Sequence, residues 1–286
     1  MKRIRIQHTT TYTYSESVTL LPHRLMIRPR SGHDIRIDHA SLAIEPRHRV
    51  LWQRDIYGNS VAVVHFEEPA ARLHIRSDVV VRHFEAEPLN FLVDEKAVMF
   101  PFYSDLDERV EMIPYQMLCF PADSNVMREW VGRFWRPGQV VETYVLLDTM
   151  NKTIANSIRY GMREEPGVQS PAETLRLGAG SCRDTATLFI EACRFFGLAA
   201  RFVSGYLHCP QTAIGHGSTH AWAEVYLPGA GWKGFDTTSG IVTGQDHIAV
   251  AVTRHPADAP PVAGSYAGPS SAAPQMHVEV LVDEVP

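Results

Sequence analysis

Gly178-Ala-Gly-Ser-Cys-Arg-Asp184 is the stretch that decides the fold, and two strand patterns follow it, His220-Ala-Trp-Ala-Glu-Val-Tyr-Leu227 and Trp232-Lys-Gly-Phe-Asp-Thr237. Ser181 is a suitable N-cap, apolar residues recur at helical spacing from residue 186 to 193, and Gly197 is a typical helix stop. A helix followed by antiparallel strands predicts an α+β core, in which the helix packs on the sheet.

Three reactive side chains occupy defined places in this pattern. Cys182 lies in the first helical turn, where unpaired backbone N–H groups and the helix dipole favour the thiolate, the reactive form. His220 starts the first strand and can act as a base, and Asp236 ends the second strand and can orient an imidazole. The pattern predicts a cysteine-nucleophile acyl-transfer enzyme.

The turn between the two strands decides whether His220 and Asp236 meet. A two-residue loop at Gly229-Ala230 would put them on opposite faces of the sheet, because side chains alternate along a strand. A three-residue loop pairs Leu227 with Gly231 and sets Asp236 one step diagonal to His220, whereas a five-residue loop sets them directly opposite. We therefore expect a loop wider than two residues, or a bulge.

These segments carry a family resemblance. Gly180-Ser-Cys-Arg-Asp184, Cys193-Arg-Phe-Phe-Gly-Leu-Ala-Ala-Arg-Phe-Val-Ser-Gly-Tyr206 and the two strand patterns resemble the core of the transglutaminase-like superfamily, specifically its bacterial cysteine peptidase branch. His8-Thr-Thr-Thr-Tyr-Thr-Tyr14, Leu25-Met-Ile-Arg-Pro-Arg30 and Asp55-Ile-Tyr-Gly-Asn59 resemble the β-rich N-terminal region that accompanies this core in bacteria. Two positions depart from the commonest pattern: Arg183 follows the cysteine where glutamine is frequent, and Thr237 replaces a proline.

The resemblance implies a papain-like fold with Cys182 as nucleophile, His220 as base and Asp236 as orienting group. It implies hydrolysis of a peptide, amide or isopeptide bond in a peptide or protein substrate through a thioester, with transglutaminase-type transfer to an amine as the alternative. The resemblance implies no cofactor and no metal. By family analogy, an ATP-grasp-like protein is a possible partner.

The rest of the chain divides into two predicted domains. Alternating segments such as Val61-Ala-Val-Val-His-Phe66 predict an N-terminal antiparallel β-sandwich in residues 1–120. Residues 121–286 are predicted to form the catalytic domain, which starts with helices near 126–134 and 141–159. We expect strands at 248–252 and 276–282, separated by the Pro-rich segment 256–274, to return to the core sheet.

Composition narrows the functional class. With 27 Lys and Arg against 32 Asp and Glu, the net charge of -5 argues against nucleic-acid binding, because phosphate neutralisation needs clustered basic residues. No apolar run follows the basic start, and no stretch approaches the roughly 20 apolar residues of a membrane span. We expect a cytoplasmic protein without membrane contact, with reduced cysteines and with Cys193 buried in the core.

Two readings from other classes compete with the enzyme. A zinc site is one, because His208, Cys209, His216, His220 and Cys182 could supply nitrogen and sulfur ligands. The paired spacings typical of zinc sites are absent from the sequence, which argues against this reading. A non-catalytic scaffold is the other, and the presence of all three candidate triad residues argues against it.

Overall fold

The computed structural model describes residues 1–103, 105–163, 167–209, 218–269 and 271–286, apart from the side chain of Leu106. The order of its strands and helices agrees with the predicted α+β class, since β-strands dominate the N-terminal part and helices precede an antiparallel sheet. Within these residues, no helix combines the length and apolar character needed to cross a bilayer.

The N-terminal part consists of six strands in chain order. They are β1 (Lys2–Leu20), β2 (His23–Leu25), β3 (Ile35–Glu45), β4 (His48–Arg54), β5 (Ser60–Phe66) and β6 (Ala70–His83). Alternating burial along β6 reflects one face against the core and one toward solvent.

The described residues of the helical part form six α-helices and four short strands. They are α1 (Glu95–Val98), β7 (Met99–Phe100), α2 (Leu106–Gln116), α3 (Ser124–Val131), β8 (Val141–Glu142), α4 (Thr143–Ser157), β9 (Arg159–Tyr160), α5 (Pro171–Leu177), β10 (Ala179–Gly180) and α6 (Cys182–Phe195). The predicted helices near 126–134 and 141–159 correspond to α3 and α4. Helix α2 was not predicted, because Pro114 lies inside it.

The remaining strands complete the sheets. They are β11 (Ala200–Leu207), β12 (Ser218–Leu227), β13 (Gly231–Asp236), β14 (Ile241–Val242), β15 (His247–Thr253), β16 (Val262–Ala263), β17 (Tyr266–Ala267) and β18 (Gln275–Glu284). One antiparallel sheet has the order β14-β13-β12-β11-β15, and α6 packs on β12 and β11. The predicted packing of the cysteine helix on the histidine and aspartate strands is therefore confirmed.

Two antiparallel sheets form the predicted N-terminal sandwich. One has the order β17-β1-β6-β3, with β18 also paired to β1, and the other has the order β16-β2-β5-β4. Buried side chains of both sheets, among them Leu73 and Ile75 on β6 and Ala62 and Val64 on β5, share one apolar cluster. Burial of this cluster joins the sheets face to face.

The C-terminal segment corrects one prediction. β15 joins the catalytic sheet as expected, but β18 pairs with β1 from Ile4↔Glu284 to Thr13↔Gln275, so it joins the N-terminal sheet rather than the core sheet. The segment before it also pairs with N-terminal strands, through β16 with β2 and β17 with β1. Alternating apolar residues predicted the strand, but its partner depends on contacts more than 260 positions away in sequence, since Thr13 faces Gln275.

The passage before residue 120 contacts the catalytic elements. β7 pairs with β8, and α2 packs on α6 and β11. The side chain of Phe100 joins the apolar cluster that includes Phe189 of α6. These contacts favour an earlier boundary than residue 120, and the two-domain division stays a prediction.

Candidate active site

Helix α6 begins at Cys182 because Ser181 and Asp184 form a capping box around its first turn. Ser181 is the N-cap, and its N–H and Oγ both donate to Asp184 Oδ2 at 2.8 Å. Asp184 is fully buried, and its other oxygen accepts from Gln169 N at 2.7 Å and Arg163 NH1 at 2.8 Å. This carboxylate therefore ties the loop before the helix to its first turn, which holds the Cys182 thiol in place.

The strand register brings His220 and Asp236 together. Leu227 pairs with Gly231, so the loop has three residues, and Ala223 pairs with Phe235. Continuing this register places Asp236 beside Trp222, on the same face as His220 and one step diagonal to it. The expectation of a loop wider than two residues is confirmed.

The imidazole of His220 lies between sulfur and carboxylate. It is within hydrogen-bonding reach of the Cys182 side chain, and its Nε2 lies 3.1 Å from Asp236 Oδ2. That separation is an ion-pair distance, but the angle at Nε2 is not that of a directed hydrogen bond. The three residues identified in the sequence therefore converge, with the buried histidine in the middle.

Burial and charge act in opposite directions on the histidine. Burial alone would lower the pKa of His220, but the adjacent Asp236 carboxylate and Cys182 sulfur outweigh it and raise that pKa to about 10. Burial likewise would raise the pKa of Asp236, but the rings of His220 and His247 hold it well below its usual range. The site therefore favours an imidazolium beside a carboxylate.

Two threonines connect the helix to the end of β13. Thr185 Oγ1 on α6 accepts from Thr237 Oγ1 at 2.9 Å, and both side chains are buried. Thr185 Oγ1 also donates to the Cys182 carbonyl at 3.2 Å. This chain of bonds fixes the distance between the cysteine turn and the aspartate strand.

The sequence missed three residues at the site. His247 Nε2 lies 3.2 Å from Asp236 Oδ2, and Ser239 Oγ donates to the same oxygen at 2.7 Å. Burial raises the pKa of the Tyr160 hydroxyl on β9, and the charges of Cys182 and Asp236 raise it further. No local pattern marks His247 or Tyr160, whereas Ser239 follows Asp236 closely enough for a turn to bond it.

Among the residues that the structure describes, the zinc ligands considered from the sequence do not form one cluster. His208 Nδ1 is bonded to Asp246 Oδ1 at 2.7 Å, and His216 lies outside the described residues. A different set could hold a cation, since one ligand atom each of His220, Asp236 and His247 lie within 4.8 Å of one another. Cys193 is buried as predicted, and burial raises the pKa of its thiol.

Comparisons with known proteins identify relatives of both parts of the chain. Residues 4–82 match the model of the bacterial transglutaminase-like N-terminal region, and residues 142–237 match the model of the transglutaminase-like superfamily. An uncharacterized protein of Mycobacterium tuberculosis is 30% identical over 99% of this chain and 93% of its own length. Another, of Mycobacterium leprae, is 25% identical over 94% of each chain.

A solved structure has the same fold. It comes from Cytophaga hutchinsonii and is named "a Putative Cysteine Protease". The match has a TM-score of 0.72 at 21% identity and covers 100% of this chain and 92% of the other. At that identity, the similarity establishes the fold of the whole chain, including the N-terminal sandwich.

Proposed function

The chain belongs to the transglutaminase-like superfamily, and on that premise we propose that it is a cysteine-nucleophile hydrolase of amide, peptide or isopeptide bonds. One observation carries the proposal. Cys182 starts a capped helix within hydrogen-bonding reach of the buried His220, and Asp236 Oδ2 lies 3.1 Å from His220 Nε2. A nucleophile, a base and an orienting carboxylate in this order are the parts of a catalytic triad.

The first step transfers an acyl group to sulfur. The Cys182 thiolate attacks the substrate carbonyl carbon, and the unpaired N–H groups at the start of α6 stabilise the developing oxyanion. The His220 imidazolium gives its proton to the departing amine as the carbon–nitrogen bond breaks. The product is a thioester on Cys182 and a free amine, and His220 is left neutral.

The second step releases the acyl group. Neutral His220 takes a proton from water, the resulting hydroxide attacks the thioester carbonyl, and the carbon–sulfur bond breaks. The Cys182 thiolate and the His220 imidazolium are restored, and a carboxylic acid leaves. Asp236 stays ionised throughout, because its role is to orient the ring and to balance its charge.

Transfer to an amine is the second candidate, favoured by the match to the transglutaminase-like superfamily. An amine that reaches the thioester before water would form a new amide instead of an acid. Adding a primary amine to a turnover assay distinguishes the two reactions, since hydrolysis yields acid alone. A cytoplasmic location and an ATP-grasp-like partner stay predictions from the sequence.

The test is the pH dependence of Cys182 alkylation by iodoacetamide, measured by mass spectrometry in wild type, His220→Ala and Asp236→Asn. Reactivity at pH 6 that is lost in His220→Ala supports an ion-paired nucleophile and justifies a screen of peptide and glutamine-amide substrates. Asp236→Asn keeps the shape but removes the charge, so we expect alkylation at pH 6 to fall by about tenfold or more.

The opposite result would support the hypothesis of a non-catalytic scaffold. In that case Cys182 would react only near pH 8.5, the ordinary range of a thiol, in all three proteins. Cys193→Ala is the matched control, since Cys193 is fully buried on the same helix and contributes no alkylation of its own.

A further inference from the structure

We propose that His247 is a positioning residue for the catalytic pair, because it holds the Asp236 oxygen that faces His220. The inference rests on the proposed function of Cys182, His220 and Asp236. His247 starts β15 and lies outside both stretches that match the family models, residues 4–82 and 142–237.

The sheet register brings the two histidines to one face. β11 lies between β12 and β15, and its Gly205 pairs with His220 on one side and with Ala249 on the other. Directly paired residues share a face, and so do residues two apart in one strand. His220 and His247 therefore share the face that carries Asp236, on opposite sides of β11.

Gly205 leaves the room that this arrangement needs. A Cβ at this position would lie 2.3 Å from the Ile248 carbonyl oxygen and 2.7 Å from the ring of Trp222. Because glycine has no side chain, the Trp222 ring can pack over β11. It meets the His247 ring edge-on, with 5.4 Å between the two ring centroids. The tryptophan thereby limits the movement of the His247 imidazole.

The hydrogen bonds define the tautomer of a neutral His247. Its Nδ1 accepts from Gly244 N at 3.4 Å, so the ring proton is on Nε2 and is donated to Asp236 Oδ2 at 3.2 Å. Ser239 Oγ donates to the same oxygen, and Thr238 N donates to Oδ1 at 2.9 Å. The carboxylate thus has three directed donors, none of which is His220.

The shared oxygen explains the role. His220 Nε2 lies 3.1 Å from Oδ2. At that distance the negative charge of the carboxylate stabilises the imidazolium. Without His247, Oδ2 keeps only the Ser239 donor among the described contacts, which belongs to the same turn as Asp236, so no group on a neighbouring strand holds the carboxylate beside His220. His220 would then lose its counter-charge, and the Cys182 thiolate would lose its stable imidazolium partner.

The surroundings of His247 are polar on the side away from the triad. A cavity of about 110 Å³ lies there, and its lining includes five titratable side chains, namely Asp34, His83, Glu85, Glu224 and Lys233. The pKa of the buried His83 is lowered by desolvation, against a smaller opposite effect of Asp34. Any change of pH profile must therefore be compared with a variant that leaves these groups intact.

The experiment compares two replacements of His247 in the full chain. In His247→Gln, the amide reaches the place of Nε2 and can still donate, whereas His247→Leu has no donor. We expect His247→Gln to match wild type in Cys182 alkylation from pH 5 to 10. His247→Leu should be at least about tenfold slower at pH 6 and equal at pH 10, where an ordinary thiol ionises unaided.

Two further variants guard against a folding artefact. His8→Leu is the matched control, because His8 is equally buried on β1 and bonds only Tyr206 and Thr10 among the described contacts. It should leave the alkylation profile unchanged. If His247→Leu fails to fold, His247→Asn replaces it, since the asparagine amide stops short of Oδ2 and should show the same loss at pH 6.

Three outcomes would overturn the inference while leaving the proposed function intact. The first is an alkylation profile of His247→Leu that matches wild type. The second is an equal loss of alkylation at pH 6 in His247→Gln and His247→Leu. The third is that wild type binds one equivalent of added Zn²⁺ and His247→Leu binds none. The last would make the histidine a metal ligand. A wild-type Cys182 that reacts as an ordinary thiol, independently of His220, would instead defeat the proposed function itself.

Discussion

Helix α6 carries buried charges at both ends, and the two ends use them differently. At the C-terminal end, Glu191 accepts from the backbone N–H groups of Cys119 and Phe120 and from Arg194. Arg194 in turn donates to the carbonyls of Ala200 and Arg254 at 2.9 and 2.7 Å. Both charges have directed partners, so this end is a structural clamp.

The N-terminal end of α6 leaves one buried group incompletely bonded. His220 Nε2 has no directed hydrogen bond although Asp236 Oδ2 is 3.1 Å away. A fully bonded buried charge resists change, whereas this histidine can gain or lose a proton with little rearrangement. The buried Asp184 at this end of α6 is as fully bonded as the clamp, so what distinguishes the reactive end is the unmet bonding capacity of His220 on the neighbouring strand β12.

The largest effect is expected for a variant that disables only the reactive end of α6. Cys182→Ala should abolish acyl transfer in any turnover assay, because no other described residue occupies the nucleophile position. Its thermal midpoint should stay close to that of wild type, since the half-buried side chain contributes little packing. Turnover by Cys182→Ala above the uncatalysed rate would show that another residue carries the chemistry.

The next effect breaks the clamp alone. Arg194→Met leaves the Glu191 carboxylate buried beside an apolar chain, which should cost about 3–5 kcal/mol of unfolding free energy in urea titrations. Cys182 alkylation at pH 6, measured on the folded fraction, should match wild type. Lys152→Met removes one partner of an exposed pair with Asp148 and is the control that should leave stability unchanged.

Gly205→Ala tests the sheet that holds His220 and His247. The added methyl would lie 2.3 Å from a backbone oxygen, so β11 must shift, at a cost of about 1–3 kcal/mol. Because the strand joins β12 to β15, alkylation at pH 6 should fall as well. Gly161→Ala is the matched control, since nothing lies within 4 Å of the added atom. Equal behaviour of the two variants would contradict the close packing over β11.

The smallest effect is the dependence of stability on pH. A pKa raised from 6.5 to about 10 means that the His220 contribution is complete below pH 6.5 and is lost as pH rises through 10. The lowered pKa of Asp236 adds stability above pH 3.8 that is lost as pH falls further. Relative to His220→Gln, wild type should lose a few degrees of thermal midpoint between pH 6.5 and 10. Parallel curves for the two proteins would indicate that the ion pair is not formed.

The reactive end of α6 was the more predictable of the two. Its cap and its first residue follow from residues adjacent in sequence, namely Ser181, Cys182 and Asp184. The strands that carry His220 and Asp236 followed from side-chain alternation, whereas the three-residue length of the turn between them is known only from the structure. The clamp was not predicted, because Glu191 meets Cys119 and Phe120, which are about 70 positions earlier in the chain.

The sequence alone identified the candidate triad residues and the helix that presents Cys182, and it predicted a loop wider than two residues or a bulge, since caps, turns and strand alternation act over a few residues. Only the tertiary structure decided that His247 contacts Asp236 and that β18 pairs with β1. Those contacts depend on which strands become neighbours. Burial of whole sheet faces selects these neighbours, and no local pattern encodes the choice.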